Sequence, residues 1–113
     1  MMNFLMIFLE MINFNYFLFY FIHILYCDIM KKIKYDDYKP QMGILIDVQH
    51  PEDYLNNPTL NSVNIYSDKL LLNYKTLLDK NKSYYIICNK GHLSQKVVSM
   101  LEYLGYDVTQ VLK

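Results

Sequence analysis

The chain contains no arginine, alanine or tryptophan, and only two cysteines, three glycines and three prolines among its 113 residues. Without arginine, no guanidinium can grip a phosphate or a carboxylate through two parallel hydrogen bonds. Two thiols are too few for a disulfide scaffold and suit a reducing compartment. Basic and acidic side chains balance at 11 each, which disfavours binding through phosphate contacts. We therefore expect no nucleic-acid partner.

The chain does contain enough apolar material for one folded domain. Hydrophobic residues make up 53% of the sequence and charged residues 19%, a composition that excludes intrinsic disorder. A single domain commonly has about 100–150 residues. Because the composition changes near residue 30, we predict a hydrophobic N-terminal segment over residues 1–29 and a folded domain over residues 30–113.

The N-terminal segment has three open interpretations. Residues 4–26 are almost uninterrupted apolar sequence, and a membrane-spanning helix needs about 20 such residues. Glu10 makes this span marginal, because a carboxylate is costly inside lipid. The segment is therefore a hydrophobic helix that anchors the chain, a spurious extension upstream of a true start at Met30, or a buried helix of the domain. Lysines follow Met30 closely, which predicts a cytoplasmic domain if the segment spans.

Residues 30–113 alternate between strand and helix patterns. Short apolar runs rich in β-branched residues predict strands at 44–48, 62–65, 84–87 and 106–112. A proline at a first helical position, a capping serine and an apolar stripe predict helices from 51, from 67 and from 94. Gly105 is placed to end the last helix. The alternation predicts an α/β fold with a central parallel sheet flanked by helices.

The loop after the strand at 84–87 is the candidate for chemistry. A cysteine at the carboxyl end of a buried parallel strand lies at the edge where open α/β sheets bind ligands. Loop N–H groups and the next helix N-terminus can cradle an anion there, which favours thiolate over thiol. The competing interpretation is an inert, buried cysteine. The candidate site residues are Cys88, Asn89, Lys90, Gly91, His92, Leu93 and Ser94.

Two other chemistries are excluded by the same residues. A Cys-x5-Arg phosphatase loop needs an arginine six positions after the cysteine, where this chain has Ser94. Cys88 and His92 have the spacing of two metal ligands, but a zinc site needs more ligands than two. We therefore expect neither a metal nor a cofactor.

Several motifs, in order, resemble the rhodanese-like domain of single-domain sulfurtransferases. Residues 45–54, LIDVQHPEDY, are similar to the family's (I/L)-I-D-V-R-x-P-x-E-Y signature, and residues 63–65, VNI, to its next strand. Residues 88–94, CNKGHLS, are similar to its active-site loop C-x-x-G-x-R-S. Residues 104–108, LGYDV, are similar to a later run with a glycine, an aromatic residue and a valine.

The resemblance implies a fold and a reaction. It implies a three-layer rhodanese-like fold for residues 30–113 that stops before the family's last helix. It implies that Cys88 takes a sulfane sulfur from a donor such as thiosulfate or a persulfide. The cysteine then carries it as a persulfide and passes it to cyanide, a thiol or a sulfur-carrier protein. Amides from Asn89 to Ser94 would stabilise the anion, and Asp47 would support the loop.

The chain departs from the family pattern at informative places. Leu93 stands where the loop arginine is usual, and Gln49 stands where the signature has arginine. Residues 57–59, NPT, replace a Gly-His-Ile stretch. These departures leave Lys90 as the loop cation that would guide an anionic donor. They keep an alternative open, a catalytically weak rhodanese-like module for protein interaction or sulfur-carrier docking.

Overall fold

A computed structural model describes residues 30–113. The predictions made for residues 1–29, including the hydrophobic helix and the membrane anchor through residues 4–26, lie outside the described residues. Within residues 30–113, no helix is both long enough and apolar enough to cross a bilayer.

The described part of the chain is an alternation of strands and helices, as predicted. The strands are β1 (Lys32–Lys34), β2 (Ile44–Asp47), β3 (Ser62–Asn64), β4 (Ser83–Ile87) and β5 (Asp107–Leu112). The helices are α1 (Pro51–Asn56), α2 (Ser67–Leu72), α3 (Tyr74–Leu77) and α4 (His92–Tyr103). Two short 3-10 turns, Tyr35–Asp37 and Pro40–Met42, join β1 to β2.

The strands form one parallel sheet in the order β1-β5-β4-β2-β3. Strand β4 is central, with Ile86 in register with Ile46 of β2 on one side and with Gln110 of β5 on the other. The predicted α/β fold with a parallel sheet and helices is confirmed. This order brings the loops that follow β2 and β4 together at the carboxyl edge of the sheet, on either side of a crevice.

The larger apolar core lies between one face of the sheet and helices α2, α3 and α4. Alternate strand residues point to this face, because successive side chains of a strand point to opposite sides. Burial of such side chains stabilises the fold by about 25 cal/mol per Å² of apolar surface. The buried members include Ile46, Val48, Leu70, Leu78, Tyr84, Ile86, Cys88, Val97, Val98, Leu101, Tyr106 and Val108.

The opposite face of the sheet carries a smaller core. Leu45, Ile87 and Val111 are buried there. Two partly buried aromatic side chains pack against them, Tyr35 in the first 3-10 turn and Tyr38 just after it. Helices α2, α3 and α4 thus cover one face of the sheet, and the segment with the 3-10 turns covers the other.

Three local features differ from the sequence patterns. Strand β1 has no apolar run and was not predicted; its lysines are exposed at the sheet edge. The helix predicted from residue 67 is divided at Asn73, whose side-chain amide donates to the Lys69 carbonyl at 2.9 Å. Such a local bond competes with helix continuation. Helix α4 begins at His92, two residues before the predicted Ser94.

The core assignment predicts a contrast between two leucines. Leu101 is fully buried and Leu72 is 82% exposed. Leu101→Ala should lower the free energy of unfolding by about 2–5 kcal/mol, because it removes buried methyl groups and leaves a cavity. Leu72→Ala should change it by less than about 0.5 kcal/mol. Urea denaturation measures both, and similar losses would contradict the assignment.

A surface cluster predicts a small pH dependence of stability. Lys31 forms an ion pair with Asp107, and the Ser83 hydroxyl donates to the same carboxylate at 2.6 Å. The Lys31 hydrogen bond first, and the Ser83 bond second, lower the pKa of Asp107 below its ordinary 3.8. A carboxyl with a lowered pKa in the folded state stabilises that state above its unfolded-state pKa. That stabilisation is lost as the pH falls through the lowered value.

We therefore expect Asp107→Asn to cost less than about 1 kcal/mol at neutral pH, because the cluster is half exposed and solvent screens it. The difference between the variant and the unchanged chain should vanish in strong acid. Denaturation midpoints across acidic pH test this, and a difference that grows on acidification would contradict it.

Candidate active site

Hydrogen bonds link the ends of strands β2, β3 and β4 around the crevice. The Val48 amide donates to the Ile87 carbonyl at 3.0 Å, which joins the chain beyond β2 to the end of β4. The Asn64 side chain donates to the Asp47 carbonyl at 3.0 Å and to the Gln49 carbonyl at 2.9 Å. The backbone that carries the candidate residues is therefore held on both sides of the crevice.

Three hydrogen-bonding groups surround the Cys88 sulfur. The Gly91 amide donates to Sγ at 3.2 Å and the Ser94 amide donates at 3.3 Å. The Ser94 hydroxyl oxygen lies 3.3 Å from the same sulfur. Cys88 is only 4% exposed. The predicted curl of backbone N–H groups around this sulfur is therefore present.

The loop takes this shape because Gly91 immediately precedes the first residue of helix α4. Gly91 has φ +82° and ψ −12°, a left-handed conformation that glycine adopts without a Cβ penalty. It immediately precedes α4, so the Ser94 amide belongs to the first turn. First-turn amides have no partner within the helix. The Ser94 N–H is therefore available to the sulfur.

The electrostatics of the loop favour a negatively charged sulfur. Two N–H groups point their positive ends at Sγ, and the N-terminus of α4 carries the positive end of the helix dipole. These groups are fixed by the backbone, so they need not reorganise when charge develops. The same features lower the cost of a thiolate without a separate general base.

A cleft of about 460 Å³ opens beside the sulfur. Its wall opposite the cysteine loop comes from α1 and its flanking turns. Charged groups face it from both sides, since Lys90 lies in the loop and Asp53 on α1. Four other lining residues carry side-chain amides. The cleft is lined by Gln49, Asp53, Asn56, Asn57, Cys88, Asn89, Lys90, His92 and Leu93.

The sequence of the chain matches a known family over the whole described domain. The family model described as "Rhodanese-like domain" matches residues 25–113. The chain belongs to the rhodanese-like domain family. The resemblance expected from the motifs is confirmed. Sulfurtransferases and non-catalytic domains both occur in this family.

Solved structures agree with the family match. A rhodanese-related protein from Thermoplasma volcanium is 27% identical with a TM-score of 0.66, over 73% of this chain and 83% of that one. A rhodanese-like domain protein from Staphylococcus aureus is 31% identical with a TM-score of 0.63, over 74% and 85%. The reduced CoADR-RHD of Bacillus anthracis is 27% identical with a TM-score of 0.65, over 73% of this chain but 15% of that one. No curated protein gives a significant match.

Asp47, expected to support the rhodanese loop, lies fully buried at the end of β2. Its carboxylate accepts hydrogen bonds from the Gln49 amide at 3.0 Å, the Gln49 side chain at 2.8 Å and the Thr59 hydroxyl at 2.6 Å. Gln49 thus takes a place beside the carboxylate that the family pattern gives to arginine. Through these bonds Asp47 fixes the turn after β2 and the position of a residue that lines the cleft.

The remaining loop residues occupy the rim of the cleft. The Asn89 side-chain oxygen accepts from Asn57 at 3.1 Å and from Lys113 at 2.6 Å, so a hydrogen bond joins the two walls. His92 is exposed and lines the cleft. Leu93 is partly buried and packs against the larger core, so the position of the usual loop arginine faces apolar surroundings here.

The sequence patterns did not identify Gln110 as a site residue. Its side-chain nitrogen donates to the Gly91 carbonyl and to the Ser94 hydroxyl oxygen, both at 2.9 Å. A glutamine between valines at 108 and 111 of a buried strand was the available signal, since a buried amide requires hydrogen-bond partners. Within residues 30–113, no three His, Cys, Asp or Glu side chains are grouped as a metal site requires.

The loop geometry predicts that two glycines differ in function but not in stability. Gly91 and Gly105 both have positive φ, +82° and +96°. An alanine at either position should cost about 1–2 kcal/mol of stability, because a Cβ disfavours that conformation. Gly91→Ala should also slow alkylation of Cys88 by iodoacetamide roughly ten-fold, through the displaced amides.

Gly105→Ala is the matched control, because it imposes the same backbone strain far from the sulfur. Mass spectrometry of the Cys88 peptide separates its alkylation from that of Cys27. If Gly105→Ala slowed the reaction at Cys88 equally, the effect would be one of stability, and the assigned role of Gly91 would be wrong.

Proposed function

We propose that this rhodanese-like domain is a sulfurtransferase that carries sulfane sulfur as a persulfide on Cys88. The observation that supports the proposal most is the position of Cys88, which lines the cleft and whose Sγ accepts two backbone hydrogen bonds. An inert structural cysteine needs neither the bonds nor the opening. A nucleophile that must become an anion needs both.

The first half of the proposed reaction loads the cysteine. The Cys88 thiolate attacks the outer sulfur of thiosulfate, and a new sulfur–sulfur bond forms. The original sulfur–sulfur bond breaks, and sulfite leaves with its electron pair. The product is a Cys88 persulfide with one negative charge, so charge is conserved. The Gly91 and Ser94 amides donate to Sγ and would stabilise the attacking thiolate.

The second half returns the enzyme to its starting state. A thiolate or cyanide attacks the outer sulfur of the persulfide and takes it away, and the Cys88 thiolate is the leaving group. No net oxidation occurs in the two halves together, so no cofactor is needed for the transfer. A reducing cytoplasm, which the cysteine content favours, supplies thiol acceptors or a sulfur-carrier protein.

The cleft suggests which donors are suitable. Its loop contributes one lysine, Lys90, and its opposite wall contributes one aspartate, Asp53. A single exposed ammonium attracts an anion by charge but does not grip it through two parallel bonds. The cleft is also roomy for thiosulfate alone. We therefore include organic persulfides among the proposed donors, beside thiosulfate.

Mass spectrometry tests the persulfide directly. The full chain, exposed to thiosulfate or to an organic persulfide, should gain one sulfur atom, about 32 Da, as the persulfide. Peptide mapping should place the gain on Cys88. The Cys88→Ser variant should not gain it, whereas Cys27→Ser should gain it as the unchanged chain does.

A folded chain that gains no sulfur from either class of donor would contradict the proposal. The protein-interaction or carrier-docking role would then be favoured, and one feature points that way. Leu93 packs against the core where the family loop usually has arginine, so the loop lacks that cation for holding a donor.

A pair of lysine variants tests how the donor is attracted. Lys90→Gln should raise the KM for thiosulfate several-fold and leave kcat nearly unchanged, because it removes attraction but not the amides around the sulfur. Added salt should shrink the difference, because it screens exposed charges. Steady-state kinetics with cyanide as the acceptor measures both constants.

Lys96→Gln is the matched control. Lys96 is also exposed but lies on α4 outside the cleft lining, so its loss should leave KM unchanged. Equal effects of the two substitutions would show that only the overall charge matters, and the guiding role of Lys90 would be rejected.

A further inference from the structure

We propose that Gln110 is a positioning residue that frees the Ser94 hydroxyl to donate to the Cys88 sulfur when that sulfur is negatively charged. This inference rests on the proposed function only in taking the reactive state of Cys88 as an anion. Gln110 touches neither the cleft nor the sulfur. It acts through Ser94 and the Gly91 carbonyl.

Gln110 is built into the sheet at a fixed place. It is 3% exposed, and it lies in β5 in register with Ile86 of the central strand. A side-chain amide nitrogen carries two N–H donors. Both donors are used, one toward the Gly91 carbonyl and one toward Ser94 Oγ, each at 2.9 Å. Through these bonds, strand β5 holds the cysteine loop from the side opposite the cleft.

The Gly91 carbonyl accepts hydrogen bonds from three donors. The Gln95 amide donates to it at 3.1 Å, the Gln110 side chain at 2.9 Å and the Ser94 hydroxyl at 3.2 Å. A carbonyl oxygen has two lone pairs. Loss of the Ser94 bond would leave two donors for two lone pairs. The Ser94 hydroxyl can therefore leave this carbonyl without creating an unsatisfied buried group.

The Ser94 hydroxyl has a single hydrogen and two competing acceptors. Gln110 donates to its oxygen, so the hydrogen cannot point that way. It points either to the Gly91 carbonyl or to Cys88 Sγ, 3.3 Å away. When Cys88 is a thiol, its S–H can donate to Ser94 Oγ, and the hydroxyl hydrogen stays on the carbonyl.

Ionisation of the sulfur reverses this arrangement. A Cys88 thiolate has no hydrogen to donate, so Sγ becomes an acceptor only. The Ser94 hydroxyl then turns to it as a third donor, beside the Gly91 and Ser94 amides. Hydrogen bonds to a charged partner are stronger than neutral ones. Gln110 keeps the abandoned carbonyl satisfied, so the rotation carries little penalty.

Without the Gln110 amide, the same rotation should be costly. The Gly91 carbonyl would keep only the Gln95 bond, and Ser94 Oγ would lose a donor. The hydroxyl would then remain on the carbonyl when the sulfur ionises. The anion would be left with two donors, the Gly91 and Ser94 amides, and would be less stable than in the unchanged chain.

The test is the pH dependence of Cys88 alkylation by iodoacetamide in the full chain, followed on the Cys88 peptide. Gln110→Met keeps the length and shape of the side chain but removes both donors. It should make alkylation roughly ten-fold slower below the midpoint of the pH–rate profile, and move that midpoint to higher pH. Gln110→Leu is the second variant and should give the same shift.

A double-variant cycle identifies Ser94 as the intermediary. In a Ser94→Ala background the hydroxyl is absent, so Gln110→Met should cause no further shift. Thr109→Val is the control for disturbance of β5, because Thr109 is buried on the opposite side of the same strand. This substitution should not change the midpoint of the pH–rate profile for Cys88 alkylation.

Two results would overturn the proposal. One is an unchanged midpoint in folded Gln110→Met and Gln110→Leu. The other is the same shift in the Ser94→Ala background, which would mean that Gln110 acts only by holding the loop backbone. Alkylation requires no sulfur transfer. A chain that shows the predicted shift but forms no persulfide would refute the sulfurtransferase function and leave the role of Gln110 standing.

Discussion

The hydrogen bonds from the Gly91 and Ser94 amides to the Cys88 sulfur are the constraint on which the rest of the site depends. They exist because a strand ends at the cysteine, a left-handed glycine turns the chain, and a helix begins at once. Each of these three features has a different physical cause. Together they leave two N–H groups without a backbone partner beside one buried sulfur. A site that stabilises an anion with its backbone has no need of an arginine clamp, and this chain has no arginine.

The sheet makes that arrangement rigid. The central strand β4 delivers Cys88 to the carboxyl edge between β2 and β5, and each neighbour contributes a buried polar side chain to the site. Asp47 on the β2 side fixes Gln49 in the cleft wall, while Gln110 on the β5 side holds the loop by its Gly91 carbonyl. Both groups are buried and hydrogen-bonded, so their loss would leave unpaired partners in the interior. The polar residues of the core thus orient the loop, and the apolar residues hold the sheet.

Much of this arrangement was accessible from the sequence, because its signals are local. The run at 84–87, the cysteine, Gly91 and the apolar repeat of α4 predict strand, turn and helix in order. What the sequence could not give are contacts between distant segments. Gln110 follows Gly91 by 19 positions and meets it only through β-sheet pairing. The division of the predicted helix at Asn73 accompanies a local side-chain bond to the Lys69 carbonyl, which the apolar pattern does not encode. Strand β1 forms because the sheet offers an edge, although Lys32 and Lys34 give no apolar pattern.

The most direct test of the account is a single turnover with thiosulfate labelled separately at its outer or its inner sulfur, followed by cyanide. The outer label should appear on Cys88 and then leave as thiocyanate. The inner label should depart at once as sulfite. The label should be absent from Cys88→Ser. Inner label retained on Cys88, or no label on Cys88 in a folded chain, would contradict the claim that the loop amides serve a nucleophilic sulfur.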